Sequence, residues 1–407
     1  MNYRNLLLAL CAILAAHTAS AQDPILIGEV SSMSGALALG GVPGRQGAIM
    51  ALEDINAKGG VLGRPLQFVA RDDKTQPEEA GKHFRELAAQ NVFLVMGTSG
   101  SATSAAMNSL ARETKIPFFT MMGYSRFLTE EAGHRYFFRL ITNDRVFGHT
   151  VAEALAKQPQ AKYCTIGNDF AYGRDITSVL MTELKKAKKD VEVVPGCEFW
   201  VPLGTTDFTP NITAMLARKP QAVMFGGLVG ASAPAFVKQA KAFGLFKGAL
   251  GVHPSLGMPV NNAGFTSKDD IPEGIFTGSD YVYPPVPTAA SKAFFEAYRK
   301  RWNGQLPTEM SANAHTTLRF IAKALEKAGK VEREAFIAAA EGLSIDHPTH
   351  GEISVRPFDH QSTAGWWMGY LSWDDTHKRA GMRDTRYMKG EPFLPSQAEV
   401  EKRRTKK

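Results

Sequence analysis

Three places in this 407-residue chain combine residue types that could do chemistry. The first is Gly97-Thr98-Ser99-Gly100-Ser101, which directly follows the apolar run Val92 to Met96. It approaches a nucleophile elbow, but Ser101 occupies the place of the final glycine in G-x-S-x-G. A turn from strand into helix is better suited to offering hydroxyls and free helix N–H groups to an anion such as a carboxylate. Ser99 and Ser101 are therefore candidate ligand contacts, and a hydrolase using Ser101 is the weaker alternative. The second place is the group His347, His350, Glu352, Asp359 and His360. Its His-x-x-His and Asp-His spacings match no strong zinc pattern, and Pro348 and Pro357 imply a bent, extended segment. Exposed loop histidines are expected, with no metal and no cofactor. The third is Ile27 to Gly60, a short strand, a long small-residue loop and an amphipathic helix. Its Gly35, Gly40, Gly41, Gly44 and Gly47 give neither the Walker spacing nor G-x-G-x-x-G, so a nucleotide site is not indicated. Without a nucleophile, metal ligands or a catalytic pair, the stretch reads as one that holds a molecule.

The elements that must position these residues alternate regularly. Ala48, Ala51, Leu52 and Ile55 follow a helical period that stops at Gly59-Gly60. Leu66 to Ala70 reads as a strand, and Thr75-Gln76-Pro77-Glu78 as a capping box opening the next helix. Val92 to Met96 is apolar throughout, as a strand covered on both faces should be, and a helix runs on to Glu113. The pattern repeats with a strand at Lys162 to Ile166, a helix face of Ile176, Val179, Leu180 and Leu184, and a strand near Val191 to Val194. Asp207 caps a helix carrying Ile212, Met215 and Leu216; Ala222 to Phe225 is a strand, and Phe236, Val237, Ala240 and Phe243 mark a helix closed by Gly244. Two α/β lobes with parallel sheets and helices on both faces follow, and ligands in such sheets sit at the carboxyl ends of the strands. Phe170 and Tyr172 fall at one such strand-to-helix turn. Phe276 to Pro287 breaks the alternation. Its Pro284, Pro285 and Pro287 exclude a helix and suggest an extended crossing between lobes. Helices return at Ser291 to Trp302, Ser311 to Ala328 and Arg333 to Ala340, before a last β-rich piece from Gly365 to Trp373.

The ends set the compartment. Arg4, the apolar run Leu6 to Ala16 and Ala19-Ser20-Ala21 read as a cleaved secretion signal over residues 1–21. Leu10 before Cys11 speaks against a lipid anchor. Of the net charge of +7, Arg4 supplies one and the tail Glu401 to Lys407 four, so about +2 remains for the body. A basic surface for nucleic acid is excluded, and the tail reads as a solvated, disordered end. Export leaves Cys164 and Cys197, in predicted strands separated by one helix. They read equally as a disulfide, contributing about 3.5 to 4 kcal/mol by the chain-entropy model, or as two buried thiols.

Taken together, several segments resemble the leucine/isoleucine/valine-binding family of type I periplasmic binding proteins, which serve ABC transporters. They are Gly35 to Gly60 with its Asp54-Ile55-Asn56-Ala57-Lys58-Gly59-Gly60 ending, the Asp72-Asp73 turn, Val95-Met96-Gly97 with its serine loop, Asp169 to Gly173, and Phe225-Gly226-Gly227. The resemblance implies an α/β fold of two doubly wound parallel-sheet lobes joined by three crossovers, closing on one solute. Lobe 1 would comprise residues 22–143 and 282–348, lobe 2 residues 144–281 and 349–380, and residues 381–407 a C-terminal extension. It further implies a periplasmic monomer that is not an enzyme and delivers a small-molecule carboxylate to an ABC permease in the inner membrane. A secreted ligand-sensing module is the alternative.

Carried over residue by residue, Ser101 matches the family's carboxylate-binding serine, and Met122, Gly123 and Tyr124 match the next ligand loop, with Tyr124 where threonine is common. Tyr172 matches an aromatic of the second lobe. Gly40 stands where a ligand-covering tyrosine is often found and Leu228 where another sits. His253 stands where branched-chain amino-acid binders place the glutamate that pairs with the α-ammonium. A buried ammonium needs an acceptor. The departures therefore suggest an organic acid with an apolar or aromatic body, packed by Tyr124, Phe170, Tyr172 and Leu228, with its carboxylate at Ser101. Asp169 is the one acid in these loops that could still serve an amine.

Overall fold

The computed structural model describes residues 23–282 and 286–405. The secretion signal, Pro284 and Pro285 of the predicted crossing, and Lys406 and Lys407 lie outside the described residues. The first sheet is built from β1 (Ile25–Ser31), α1 (Ala38–Ala57), β2 (Leu66–Asp72), α2 (Pro77–Ala89), β3 (Leu94–Gly97), α3 (Ser101–Thr114), β4 (Phe118–Thr120) and β5 (Phe137–Arg139). Its order is β2-β1-β3-β4-β5, all parallel, with Ile27 facing Phe68 on one side and Leu94 on the other. Every residue of β3 and β4 is buried, which is why these strands read as continuous apolar runs.

The chain then enters the second lobe through α4 (Asp144–Ala156), β6 (Lys162–Asn168), α5 (Ala171–Ala187), β7 (Glu192–Val201), α6 (Thr209–Arg218), β8 (Ala222–Gly227), α7 (Ser232–Ala242), β9 (Leu250–His253), α8 (Pro259–Asn262) and β10 (Ile275–Ser279). It returns to the first lobe for α9 (Ala289–Arg301), α10 (Glu309–Ala328) and α11 (Arg333–Ala340). A small hairpin, β11 (Ser344–His347) and β12 (Gly351–Ser354), carries it back. β13 (Trp366–Asp374) and β14 (Arg379–Met388) then complete a seven-stranded sheet ordered β14-β13-β10-β9-β8-β6-β7, both added antiparallel. The chain is thus two α/β lobes with three passages between them. Among the described residues no helix is long and apolar enough to cross a membrane.

Several expectations need correcting. The supposed long loop is mostly helix: α1 begins at Ala38, ten residues before the periodic stretch, and runs through Pro43. Its glycines are there for close approach. A Cβ on Gly41 would lie 1.8 Å from the Ser32 carbonyl oxygen, on Gly44 2.2 Å from Thr98 Oγ1, and on Gly47 2.0 Å from the Ser311 carbonyl oxygen. At i, i+3 and i+6 these positions lie along one flank, so α1 is pressed onto the strand ends and α10 at backbone distance. Gly59 and Gly60 end it with φ of 100° and 77°. Asn56 then exchanges two hydrogen bonds with Leu66, joining helix end to β2. The predicted capping box is absent. Gln76 is the N-cap of α2, and the Thr75 hydroxyl instead accepts from Leu37 N–H and donates to the Ser34 carbonyl. Cys164 of β6 and Cys197 of β7 are disulfide-bonded, with Cα atoms 4.9 Å apart and both residues buried.

The carboxyl end is ordered. Residues 379–388 are an edge strand of the second sheet, and α12 (Gln397–Arg404) opens on a capping box at Ser396 and Glu399. Arg404 donates to the carbonyls of Thr129, Glu130 and Phe358, while Arg403 reaches the carboxylates of Glu130 and Glu131. Glu130, buried in the first lobe, also takes both guanidinium nitrogens of Arg145 on α4 in the second. Through Thr405 the tail is a docked strap; Arg403 and Arg404 are spent on acceptors that the sequence could not associate with them.

Candidate functional site

The turns at the carboxyl ends of the two parallel sheets face one another. Between them lies a small cavity of about 50 Å³, partly open to solvent. The first lobe contributes Leu37, Gly100, Ser101, Met122, Tyr124 and Met310, and the second Phe170, Tyr172, Val229, Met258, Val260 and Asn261. The wall is overwhelmingly apolar.

Two acidic residues shape the first wall from behind. Asp72 accepts from the backbone N–H groups of Met33, Ser34 and Lys74, and those bonds together with the Ser34 hydroxyl outweigh desolvation and hold its carboxyl below the usual range. Asp73 accepts from the hydroxyls of Ser32 and Ser99. The turns carrying Leu37 and Gly100 are thereby fixed. α3 starts at Ser101 with no side chain capping it, leaving first-turn N–H groups free. Ser125 N–H donates to Ser101 Oγ at 3.1 Å, so the serine's own proton is uncommitted. The Met122 to Ser125 turn is held by Arg139, a fully buried guanidinium at the end of β5. It donates to the carbonyls of Gly123 and Ser125, to Gln361 Oε1 and to Thr129 Oγ1. Burial lowers its pKa to about 10. An arginine ending the apolar run Phe137-Phe138-Arg139 was the signal for it.

Across the cleft, Tyr172 Oη pairs with Ser255 Oγ at 3.1 Å. Asn261 commits both amide protons and one lone pair: Oδ1 accepts from Gly230 N–H, and Nδ2 donates to the carbonyl and hydroxyl of Ser255. Tyr124 and Tyr172 approach with ring centroids 6.4 Å apart. Tyr124 Oη donates to Asp280 at 3.0 Å. Asp280, where the chain leaves the second lobe, and Glu309, at the start of α10, are both buried. Desolvation raises Asp280 to about 6 and, with Asp280 nearby, Glu309 to about 8. Glu309 Oε1 accepts from Val260 N–H at 3.1 Å, another link between lobes.

Of the predicted contacts, Ser101, Met122, Tyr124, Phe170 and Tyr172 line the cavity together. Ser99 does not, because its hydroxyl is turned into the lobe toward Val30 O and Asp73. Gly123 is occupied in the turn, its N–H given to Thr120 Oγ1. Leu228 packs in the core of the second lobe, and its neighbour Val229 faces the cavity instead. His253 is buried behind the wall as a neutral ring, Nε2 donating to Leu228 O and Nδ1 accepting from Ser255 N–H. Desolvation lowers it to about 4. Asp169 is half exposed in an ion pair with Arg174, away from the cavity. Gly40 lies just behind the wall: a Cβ there would come within 2.6 Å of Met122 Sδ, 3.3 Å of Val260 and 3.4 Å of Met310. Sequence reasoning missed Leu37, Val229, Met258, Val260, Asn261 and Met310, which occupy turns and a helix start without motif. His347, Asp359 and His360 are buried and His350 half-buried, and only Glu352 of this group is exposed: His347 meets Asn313 Oδ1, His350 the Asp280 carbonyl, and His360 the Phe137 carbonyl and Glu341. Among the described residues no set of three or more His, Cys, Asp or Glu side chains could hold a metal ion.

A family model described as periplasmic binding protein matches residues 24–377, taking in the first sheet, all of the second except its edge strand β14, and every wall of the cavity. The chain belongs to the periplasmic binding protein family. Within it, this periplasmic binding protein is similar to a leucine-, isoleucine-, valine-, threonine- and alanine-binding protein of Pseudomonas aeruginosa, 27% identical over 81% of this chain and 85% of the relative. Among solved structures it resembles a solute-binding protein of an ABC transporter from Rhodopseudomonas palustris in complex with 3,4-dihydroxybenzoic acid. The TM-score is 0.78 and identity 22%, covering 90% of this chain and 98% of the other. A branched-chain amino acid transporter substrate-binding protein from Streptococcus pneumoniae in complex with isoleucine gives 0.74 and 22%, covering 90% and 99%. The leucine/isoleucine/valine-binding resemblance and the type I two-lobed fold expected from the sequence are thus both met. Membership of the family carries a periplasmic location with it.

Proposed function

We propose that this protein captures a small carboxylate-bearing solute with an apolar or aromatic body in the Ser101 cavity, closes its lobes on it, and presents it to an ABC permease. The observation that carries this reading is the pairing of an uncommitted Ser101 proton and an uncapped α3 N-terminus with a wall of methionine, tyrosine, phenylalanine and valine. Anion donors at one end and apolar surface elsewhere suit a carboxylate on an apolar body. A full-length arginine or lysine side chain has no acidic residue among those lining the cavity to meet it. The ligands for which two relatives are named, branched-chain and small amino acids for one and a dihydroxybenzoic acid for the other, bracket the same chemistry. Closure is favoured by bonds that cross the cleft, Ser125 to Asp175 and Val260 to Glu309, which an opened form would break. A thermal-shift panel of aliphatic amino acids and aromatic acids tests the reading. A true solute at 100 times its Kd stabilises by about 2.7 kcal/mol, and a panel in which no carboxylate shifts the transition overturns it.

A further inference from the structure

The cavity's hydrogen-bond polarity, resting on the carboxylate reading above, specifies what the far end of the solute must carry. Its polar groups are few, and most are already spent. Tyr172 and Ser255 share one hydrogen bond, in which either hydroxyl can be the donor, and Asn261 uses both its amide oxygen and its amide nitrogen on protein partners. Ser101, receiving Ser125 N–H, has a proton to give. Tyr124 is the opposite case. It lines the cavity, is 6% exposed, and commits its one proton to Asp280. Asp280 is itself 1% exposed; its Oδ2 takes both that proton and Asn313 Nδ2 at 3.1 Å, and its Oδ1 meets no partner among the described residues. Asn313 is in turn fixed by His347, and the Asp280 backbone carbonyl by Thr349 and His350. A carboxylate held that firmly, with no cation in bonding distance among the described residues, keeps the tyrosine proton pointed at it. The phenolic oxygen then has only lone pairs to offer a guest.

We propose that Tyr124, oriented by Asp280, is the specificity-determining acceptor of the site, so that the solute carries a hydrogen-bond donor, a hydroxyl or an ammonium, in addition to its carboxylate. Asp280 acts as a positioning residue through Tyr124 and does not itself touch the solute. A site built to accept such a donor rejects the analogue lacking it, because the desolvated acceptor is left unpaired.

Matched pairs of probes test this by calorimetry on the full mature chain: 4-hydroxybenzoate against 4-methoxybenzoate and benzoate, and phenylalanine against 3-phenylpropanoate. In at least one series the donor-bearing member is expected to bind tenfold or more tighter than its partner. Tyr124→Phe and Asp280→Asn are each expected to bring that ratio to within about threefold of unity. The ratio is taken on one preparation, so a loss of folded protein does not move it, and Tyr124→Phe keeps the ring packing if Asp280→Asn fails to fold. Carboxylates that bind the wild type with no preference for the donor overturn the inference alone, as does a preference that survives in Tyr124→Phe. If no carboxylate of either series binds, the proposed function falls and the inference with it.

Discussion

Gly40 and Ser101 carry opposite kinds of information. Ser101 is read by what it offers. Ser101→Ala removes the free hydroxyl donor at the proposed carboxylate end and leaves Ser125 N–H unpartnered. Solute affinity should fall tenfold or more, about 1.5 to 3 kcal/mol for a bond to a charged group, with calorimetry as the measurement. Gly40 is read by what it omits: Met122, Met310 and Val260 occupy the volume a larger side chain would take. Gly40→Ala meets only the flexible end of Met122 first, so the fold should tolerate it while cavity shape and solute affinity change. The residues found from sequence alone were those at strand ends with a distinctive side chain. Leu228 was displaced by one position, to Val229, because a β-strand exit gives no marker for which of two successive apolar residues turns outward. Asp280 and Glu309 were invisible for a different reason. Each is distant in sequence from Tyr124 and Val260, and only the return passages of the chain bring them there.

At the scale of elements, apolar runs and helical periods revealed β1, β2, β3, β6, β7, β8 and β13, because strands covered by neighbours leave a clear signal; the short β4, β5, β9 and β10 left runs too brief to read. The failures came where local preference yielded to tertiary packing. Proline and four glycines argued for a loop at 38–47, yet helix α1 forms because only glycine allows its backbone to touch Ser32, Thr98 and Ser311. Gly47→Ala, which puts a methyl against a backbone carbonyl, should therefore destabilise by about 1 to 3 kcal/mol or more, where Gly40→Ala does not; chemical denaturation of the two variants checks the contrast. The β6–β7 disulfide is the other element-level term. Its reduction, or the double change Cys164→Ser with Cys197→Ser, should lower stability by about 3.5 to 4 kcal/mol in the chain-entropy model, read as a shift in denaturation midpoint. β14 escaped notice because an edge strand with one solvated face, rich in arginine, has no continuous apolar run.

The whole molecule titrates as a balance of buried acids against buried histidines. Burial raises Glu309 to about 8, Asp144 to about 7 and Glu29 to about 7, so the folded state holds protons that the unfolded chain releases near pH 4.5. That stabilisation declines as pH rises toward these folded values. Burial lowers His134, His253 and His350 to about 4, so below pH 6.5 the unfolded chain binds the extra protons and stability falls on acidification. The two terms oppose one another between pH 4.5 and 6.5, and only the acid term remains above it. The thermal midpoint should therefore fall between pH 6.5 and 8.5, and Glu309→Gln should flatten that fall. A scan of unfolding temperature against pH checks both statements.

The strap formed by β14 and α12 links the scales. Arg403 and Arg145 share Glu130, so the end of the chain is tied to the first lobe at the point where the second lobe begins. A chain exported from its amino end delivers this clasp last. The same position makes Arg404 a natural sensor mount: an environment-sensitive dye placed beside it sits at the joint rather than in the cavity, and would report the proposed lobe closure without contacting the solute.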